Sequence, residues 1–463
     1  MSARRHLSLL SLGTALAMAP SAADAVDLDW TFKATIAGIG DGGRDLGLLG
    51  RSDGQQGYLD VTPWLHVQFS DRWSALLRVR VFAPTDAVLV AGNDNNNVGA
   101  TAQAYIGLKE AWVDYRGLTS YPGESLRFGR QRLREDDALW WDQDFDAARW
   151  ILDSTLLQVQ LGAGRQFNSY RSDGAAVPAA QRDRTYTFAT ISTEPLPGTR
   201  IGLRALHADD DALSGTTGVR PNADAKLSGG HLTWLGFYGD NHAYDAEQAP
   251  DLSYWGSVNG LTGSRHQLQL APNGTFAGET RDNPLAWAAE AGVRWRLPLT
   301  LPIQIGAAYT YSGGGGDGQY AQSGLQSNYS RYTGTNTLLH RYTDAYRAEL
   351  GNLQAATAFA SLSTGPYETA AVFNDFRRPD RNATVVADGI SVRPQAGGAS
   401  LGRGYDLVVT RFFGASKVID KLEPADDSRS SLRLRASLFD PGAAYGPAAK
   451  SEYRVTLEAT LWY

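Results

Sequence analysis

Apolar and polar side chains alternate with a period of two through much of this chain. Trp287, Ala289, Ala291, Val293, Trp295 and Leu297 fall on one face of an extended segment, opposite Ala288, Glu290, Arg294 and Arg296. Ile303, Ile305, Ala307, Tyr309 and Tyr311 oppose Gln304, Gly306, Ala308, Thr310 and Ser312, and Leu432, Leu434, Ala436 and Leu438 oppose Arg433, Arg435 and Ser437. The last eleven residues repeat the pattern to the end, with Tyr453, Val455, Leu457, Ala459, Leu461 and Tyr463 on one face. Period-2 alternation predicts strands with one apolar and one polar face. In a membrane barrel the apolar face meets lipid and the polar face meets the lumen.

The pattern predicts eighteen strands, near 28–39, 57–69, 73–83, 104–116, 124–134, 146–153, 155–165, 183–194, 199–208, 228–238, 251–261, 285–297, 302–312, 352–362, 366–377, 404–412, 430–440 and 452–463. An even number closes a barrel with both ends on one side of the membrane. The connections alternate in length. Ser70–Arg72, Gly117–Gly123, Glu194–Thr199 and Pro298–Pro302 are short, whereas 84–103, 166–182, 209–227, 262–284, 313–351 and 377–403 are long. Short periplasmic turns and long extracellular loops are the barrel arrangement. One connection departs from it: 413–429 falls on the periplasmic side, yet is long and rich in charge. It reads either as a segment folding into the pore mouth or as a solvated loop. A soluble β-sandwich is the alternative for the whole pattern, and no fixed-period solenoid repeat is present.

The N-terminus supports export. Arg4 and Arg5 precede an apolar stretch, Leu7–Met18, and Ala23-Asp24-Ala25 forms a small-x-small site, so residues 1–25 read as a signal peptide and 26–463 as the barrel. Mean hydropathy is −0.31, as expected where strands hide their apolar face by alternation. Without cysteine, neither disulfides nor thiolate chemistry is available. Removing residues 1–25 takes the formal charge from −6 to −7, which argues against a nucleic-acid partner. No His pair has metal-ligand spacing, and there is no Gly-x-Ser-x-Gly elbow or phosphate loop, so no cofactor and no enzyme chemistry is expected. Gly313–Gly316 reads as a flexible stretch, and the Asp- and Asn-rich stretches at Asn93–Asn97 and Asp209–Asp211 as solvated loops rather than calcium sites.

Basic residues concentrate around the fifth strand: Lys109, Arg116, Arg127, Arg130, Arg132 and Arg134. Arg78, Arg80, Arg204, Arg294, Arg296, Arg433 and Arg435 sit on polar faces elsewhere. On a lipid face each would cost about 2–4 kcal/mol near the midplane, so the lumen is their expected home. Glu110, Glu135, Asp136, Asp142, Asp144 and Asp173 accompany them. Two readings follow: a network of ion pairs that stiffens the lumen, or a path for anions through many individually weak sites.

The stretch from Ala111 to Glu135, with Tyr346–Ala356, Gly404–Thr410 and Leu438–Pro447, resembles the alginate export porins of the bacterial outer membrane. The resemblance implies a monomeric eighteen-stranded barrel passing a linear polyuronate outward through a basic constriction. It also implies gating by the loop near 84–103 and by 413–429, and periplasmic synthesis and export proteins as partners. By position, the constriction corresponds to Lys33, Lys109, Arg132 and Arg433, with acidic partners at Asp142 and Asp173. Three basic positions of the family fall on Thr62, Tyr329 and Leu338, and an acidic one on Ser169; Arg331 lies two residues from Tyr329. The expected function is passive export of alginate. The alternatives are an uptake porin for acidic oligosaccharides or general anions, and an outer-membrane barrel enzyme.

Overall fold

The computed structural model describes residues 26–50, 54–87, 103–177, 181–210, 217, 219–220, 228–246, 249–270, 275–414 and 429–463. The signal-peptide expectation and most of the two gating segments, 84–103 and 413–429, lie outside the described residues. The strands run β1 (Asp27–Gly42), β2 (Gly54–Ser70), β3 (Trp73–Pro84), β4 (Tyr105–Tyr115), β5 (Glu124–Arg134), β6 (Asp142–Asp153) and β7 (Leu157–Arg165). Next come β8 (Thr185–Leu196), β9 (Thr199–Asp210), β10 (Ser228–Asp240), β11 (Leu252–Leu270), β12 (Phe276–Asp282), β13 (Leu285–Arg296) and β14 (Ile303–Ser312). The chain finishes with β15 (Tyr329–Ser330), β16 (Leu339–His340), β17 (Gln354–Thr364), β18 (Tyr367–Arg377), β19 (Ser400–Phe413), β20 (Ser430–Pro441) and β21 (Glu452–Trp462).

The named strands all pair antiparallel, and β21 closes on β1 over a register from Lys33↔Trp462 to Gly42↔Tyr453. Closure removes the exposed edges that an open sheet would present. β12 and β13 pair with successive stretches of β11, so they form one stave, and β15 pairs only with β16. The barrel therefore has eighteen staves, each coinciding with a predicted strand. The expected long loop at 262–284 is instead a hairpin arm, made by the upper part of β11 and β12.

The faces sort as the alternation requires. On β20, Leu432, Leu434 and Leu438 are exposed on the lipid side, while Arg435 and Ser437 are buried on the lumen side. Rings mark the membrane edges: Trp73 lies 4.5 Å from Tyr115 at the end bearing the short turns, and Trp287 lies 4.7 Å from Tyr311 at the other. Such girdles sit at the two interfaces of a membrane barrel.

A second expectation about the loops is corrected. The 313–351 connection does not project outward; it folds into the lumen, and Tyr320, Leu325, Tyr329, Tyr332, Leu339 and Tyr342 are all buried. Gly315 and Gly316, at φ 82° and 53°, make the turn that sends it inward, so the glycine run is a fixed corner rather than a flexible stretch. The reason for the inward fold is chemical. The segment is rich in hydroxyl and amide groups, which can satisfy the polar inner faces of many strands at once. A second segment, 135–141 between β5 and β6, turns inward beside it. Their backbones join: Asn328 N–H donates to Ala138 O at 3.1 Å, and Asp142 N–H donates to Leu325 O at 2.6 Å.

These two segments fill one side of the lumen. Trp140, Trp141 and Leu325 pack on Phe145, Phe188, Leu206, Leu232, Trp234 and Leu261 as one apolar core. The other side, along β1–β5 and β20–β21, carries many charged residues beside a smaller apolar cluster of Ala37, Ile39, Tyr58, Phe82 and Tyr105.

Candidate functional site

Lys109 reaches the lumen because β4 is irregular. Opposite β3, Arg78 pairs with Glu110 and Val79 with Leu108, so Lys109 is the extra residue of a bulge. A bulge lets two consecutive side chains share a face; here Lys109 and Glu110 both point inward. Lys109 Nζ lies 2.5 Å from Asp144 Oδ2. Asp144 stands opposite Arg132 in the β5–β6 register, and Arg132 Nη2 donates to Asp142 Oδ1 at 2.8 Å. The second Asp142 oxygen accepts from the Ser327 hydroxyl at 2.6 Å. Asp142 thus ties the basic wall to the inward loop.

Arg433 and Lys33 meet around Glu458. Arg433 Nη1 is 3.8 Å from Glu458 Oε2 and its Nε donates to Thr410 Oγ1 at 3.1 Å. Arg435 Nε approaches the same carboxylate at 3.2 Å. Lys33 Nζ stands 5.6 Å from the centre of the Trp462 ring, a cation–π distance. Between the two groups lie Arg80 on Asp60 (2.7 Å) and Arg78 on Glu110 (2.9 Å). Tyr58 OH, on β2, donates to Glu458 Oε1 at 3.3 Å. The result is a belt from β20 and β21 through β1–β3 to β4–β6.

Lys33, Lys109, Arg132, Arg433 and Asp142 therefore all belong to this belt. Asp173 does not join them. It sits in the loop after β7, bound to Arg171 at 2.5 Å, and Arg171 covers the Tyr105 ring at 3.7 Å. It braces the rim above β4 instead. Among the positions that depart from the family, Thr62 donates to Asp60 Oδ1 at 3.2 Å and pairs with Lys33 in the β1–β2 register. Tyr329 and Leu338 both lie on the inward loop next to Arg435: Tyr329 OH donates to Asp344 at 2.5 Å, Asp344 is 3.7 Å from Arg435, and Leu338 O accepts from Arg435 Nη1 at 2.9 Å. Ser169 is a loop residue bonded to Ala175 O. Arg331 donates to Asn336 O at 3.1 Å within the inward loop.

Sequence reasoning missed the anchors of that loop. Arg341 on the loop binds Glu290 of β13, and Arg294 donates to Ala243 O and Tyr332 O, both at 2.8 Å. Arg204 binds both Glu135 (2.5 Å) and Asp137 (2.8 Å). Lys109 and Arg433 are the open members of the belt, while Arg132, at 5%, is as covered as the loop anchors. The Lys109 and Arg433 side chains are 14% and 21% exposed, against 4% for Arg341 and 1% for Arg204.

The inward segments carry shifted groups. Burial, with Asp137 adding to it and Arg204 opposing it, pushes the Glu135 carboxyl up to about 7. Burial would raise Asp136 as well, but Arg200 outweighs it and holds that carboxyl below its ordinary value. Burial pushes the His340 imidazole down to about 3, so it stays neutral. Burial and the neighbouring Asp388 push Glu349 up to about 7.

Comparison with known proteins places the chain. Residues 36–456 match the family model described as "Alginate export". The "Alginate production protein AlgE" of Pseudomonas aeruginosa is 36% identical over 443 residues, covering 92% of this chain and 90% of that protein. Its namesake from Azotobacter vinelandii is 30% identical over 457 residues, covering 94% and 93%. Among solved structures, Acinetobacter baumannii OccAB1 superposes with a TM-score of 0.55 at 13% identity, covering 94% of this chain and 97% of that one. Pseudomonas aeruginosa OccK8 gives 0.54 at 10% identity, covering 94% and 98%; at such identities the likeness speaks for the fold alone. The chain belongs to the alginate export family, whose members lie in the bacterial outer membrane.

Proposed function

We propose that this barrel exports alginate by passive diffusion through an anion-selective path along the β1–β5 and β20–β21 side of its lumen. The observation that supports this most is the convergence of Lys33, Lys109, Arg132 and Arg433 from four separate strands onto that side. Each pairs with a carboxylate or covers a ring, and a passing uronate carboxylate offers the same partner chemistry. At 4 Å such a pair is worth about 1 kcal/mol in water and about 4 kcal/mol at an effective dielectric of 20. A polymer can therefore move by exchanging one contact for the next, as conduction through multiple weak sites requires. Asp142 and Glu458 hold the bases in place between contacts.

In planar bilayers the barrel is expected to conduct anions in preference to cations, and oligomannuronate is expected to block that current. Lys109→Glu and Arg132→Glu should lower both the selectivity and the block. A cation-selective pore indifferent to mannuronate would overturn the proposal. The uncharged Tyr329 and Leu338 beside Arg435 favour a second reading, uptake of acidic oligosaccharides. Deleting the gene separates the two: an export mutant stops releasing polymer, and an uptake mutant stops growing on the oligosaccharide.

A further inference from the structure

The lipid-facing surface carries a charged cluster at the upper limit of its apolar band. Outward positions on β18 run from Tyr367 through Ala371 and Phe373 to Asp375 and Arg377. Opposite them in β19 stand Arg411 at Tyr367, Tyr405 at Phe373 and Arg403 at Asp375. Arg411 lies over the Tyr367 and Phe413 rings, 5.6 and 4.9 Å from their centres, which marks the lower interface. The ten-residue advance from Tyr367 to Arg377, at about 3.3 Å per residue and a tilt of about 40°, climbs about 25 Å. That is the height of the apolar band of an outer-membrane barrel, about 25 Å. Arg377 and Arg403 therefore lie at the headgroup level of the outer leaflet, just above the Phe373–Tyr405 ring pair (5.3 Å).

The charges there are arranged as a fork. Arg377 Nε donates to Asp375 Oδ2 at 3.1 Å, and Arg403 Nε lies 3.8 Å from Asp375 Oδ1. Two guanidinium groups share one carboxylate, and both side chains stay open, at 65% and 59% exposure. Each engages Asp375 through Nε, so the outer Nη donors stay available to a ligand. Asp440, opposite Arg403 on the β20 side, is engaged by the Ser451 hydroxyl at 3.0 Å. Planar guanidinium groups match phosphate oxygens bidentately, and Arg suits this role better than Lys.

We propose that Arg377 and Arg403 bind a phosphate of the phosphorylated saccharolipid that forms the outer leaflet, with Phe373 and Tyr405 against its acyl chains. Asp375 holds the two guanidinium groups side by side, and the ring pair sets their depth. This site faces away from the lumen and does not depend on what the lumen carries.

The test titrates the intact barrel in detergent with diphosphorylated lipid A and with its dephosphorylated form. Binding is read as the rise in the temperature at which the folded gel band converts to the unfolded one. Wild type is expected to respond to the phosphorylated lipid far more strongly. Arg377→Gln with Arg403→Gln should weaken that response about tenfold or more, the loss expected for charge-assisted hydrogen bonds. Arg411→Gln at the opposite interface should keep it, and unchanged single-channel conductance of the double variant certifies its fold. Equal binding by the double variant, or equal binding of the dephosphorylated lipid, would overturn the proposal. So would displacement by equimolar inorganic phosphate, which would mark the fork as a free-anion site.

Discussion

The two sides of this lumen use the same residue types for opposite purposes. On the filled side, arginines fasten the inward segments: Arg341 on Glu290, Arg204 on Glu135 and Asp137, Arg294 on two backbone carbonyls. Trp140 covers Arg204 at 4.8 Å and donates to Asn259 Oδ1 at 2.9 Å, sealing it from water. On the other side Lys109 and Arg433 keep part of their surface open. A buried pair is structural because breaking it strands a charge. A half-open pair can be exchanged cheaply, because water screens the vacancy. Residue type alone does not tell a sealed lumen arginine such as Arg204 from a half-open one such as Arg433; the depth of cover does.

The largest expected effect comes from breaking a sealed pair. Arg341→Met leaves Glu290 buried without its cation and should cost about 3–5 kcal/mol. In detergent unfolding the variant should melt earlier, and in bilayers its conductance should rise as the inward loop loses its seat. Arg433→Met, on the open side, should cost under about 1 kcal/mol and change selectivity instead. Equal costs for the two would erase the distinction between the sides.

Next is the apolar seal. Trp140→Ala removes a fully covered ring and should cost about 3–5 kcal/mol if the cavity stays open, less where the segment collapses. Its signature is a noisier current without loss of anion preference, measured on single channels.

The smallest effect is a pH dependence. Glu349 has a folded value of about 7, raised above its ordinary value by burial and Asp388. The sign follows from linkage: the protonated form is favoured in the fold, so its contribution is complete below the unfolded value and fades as pH rises through about 7. Glu135 behaves alike. Loop seating, followed by conductance or by proteolysis between residues 313 and 353, should loosen above neutral pH. Glu349→Gln should flatten that dependence.

The staves were legible because lipid and water impose strict alternation, and β20, with Leu432 and Leu434 outside and Arg433 and Arg435 inside, displays it plainly. The filled side left a different mark. In β10, Leu232 and Trp234 face inward while Leu235 and Phe237 face lipid, so the strand is apolar on both faces. A strand lining water has no use for an inward tryptophan; one covered by an inner segment does. That double-sided pattern is the readable sign of a filled lumen, and period-2 alternation alone does not single it out. The inward loop itself lacked periodicity, because its contacts are made to inner faces far apart in sequence. The resemblance named Lys33, Lys109, Arg132 and Arg433, which the fold brings to one side of the lumen, whereas Asp173 pairs with Arg171 in the loop after β7, a contact that position in the chain does not reveal.

The irregularity in β4 also bears on how such a passage can vary. Before Lys109 the inward residues are Tyr105 and Gly107; after it they are Glu110, Trp112 and Asp114. Loss of the one codon for Lys109 would restore regular pairing with β3, because each side of the bulge already faces the right way. The circumference, the girdles and every other strand would be untouched, yet the passage would lose a positive charge. Gain of a codon at a similar place would add one. A single-residue insertion or deletion at such a bulge is therefore a way to change the charge of a barrel interior without shifting the register on either side of it.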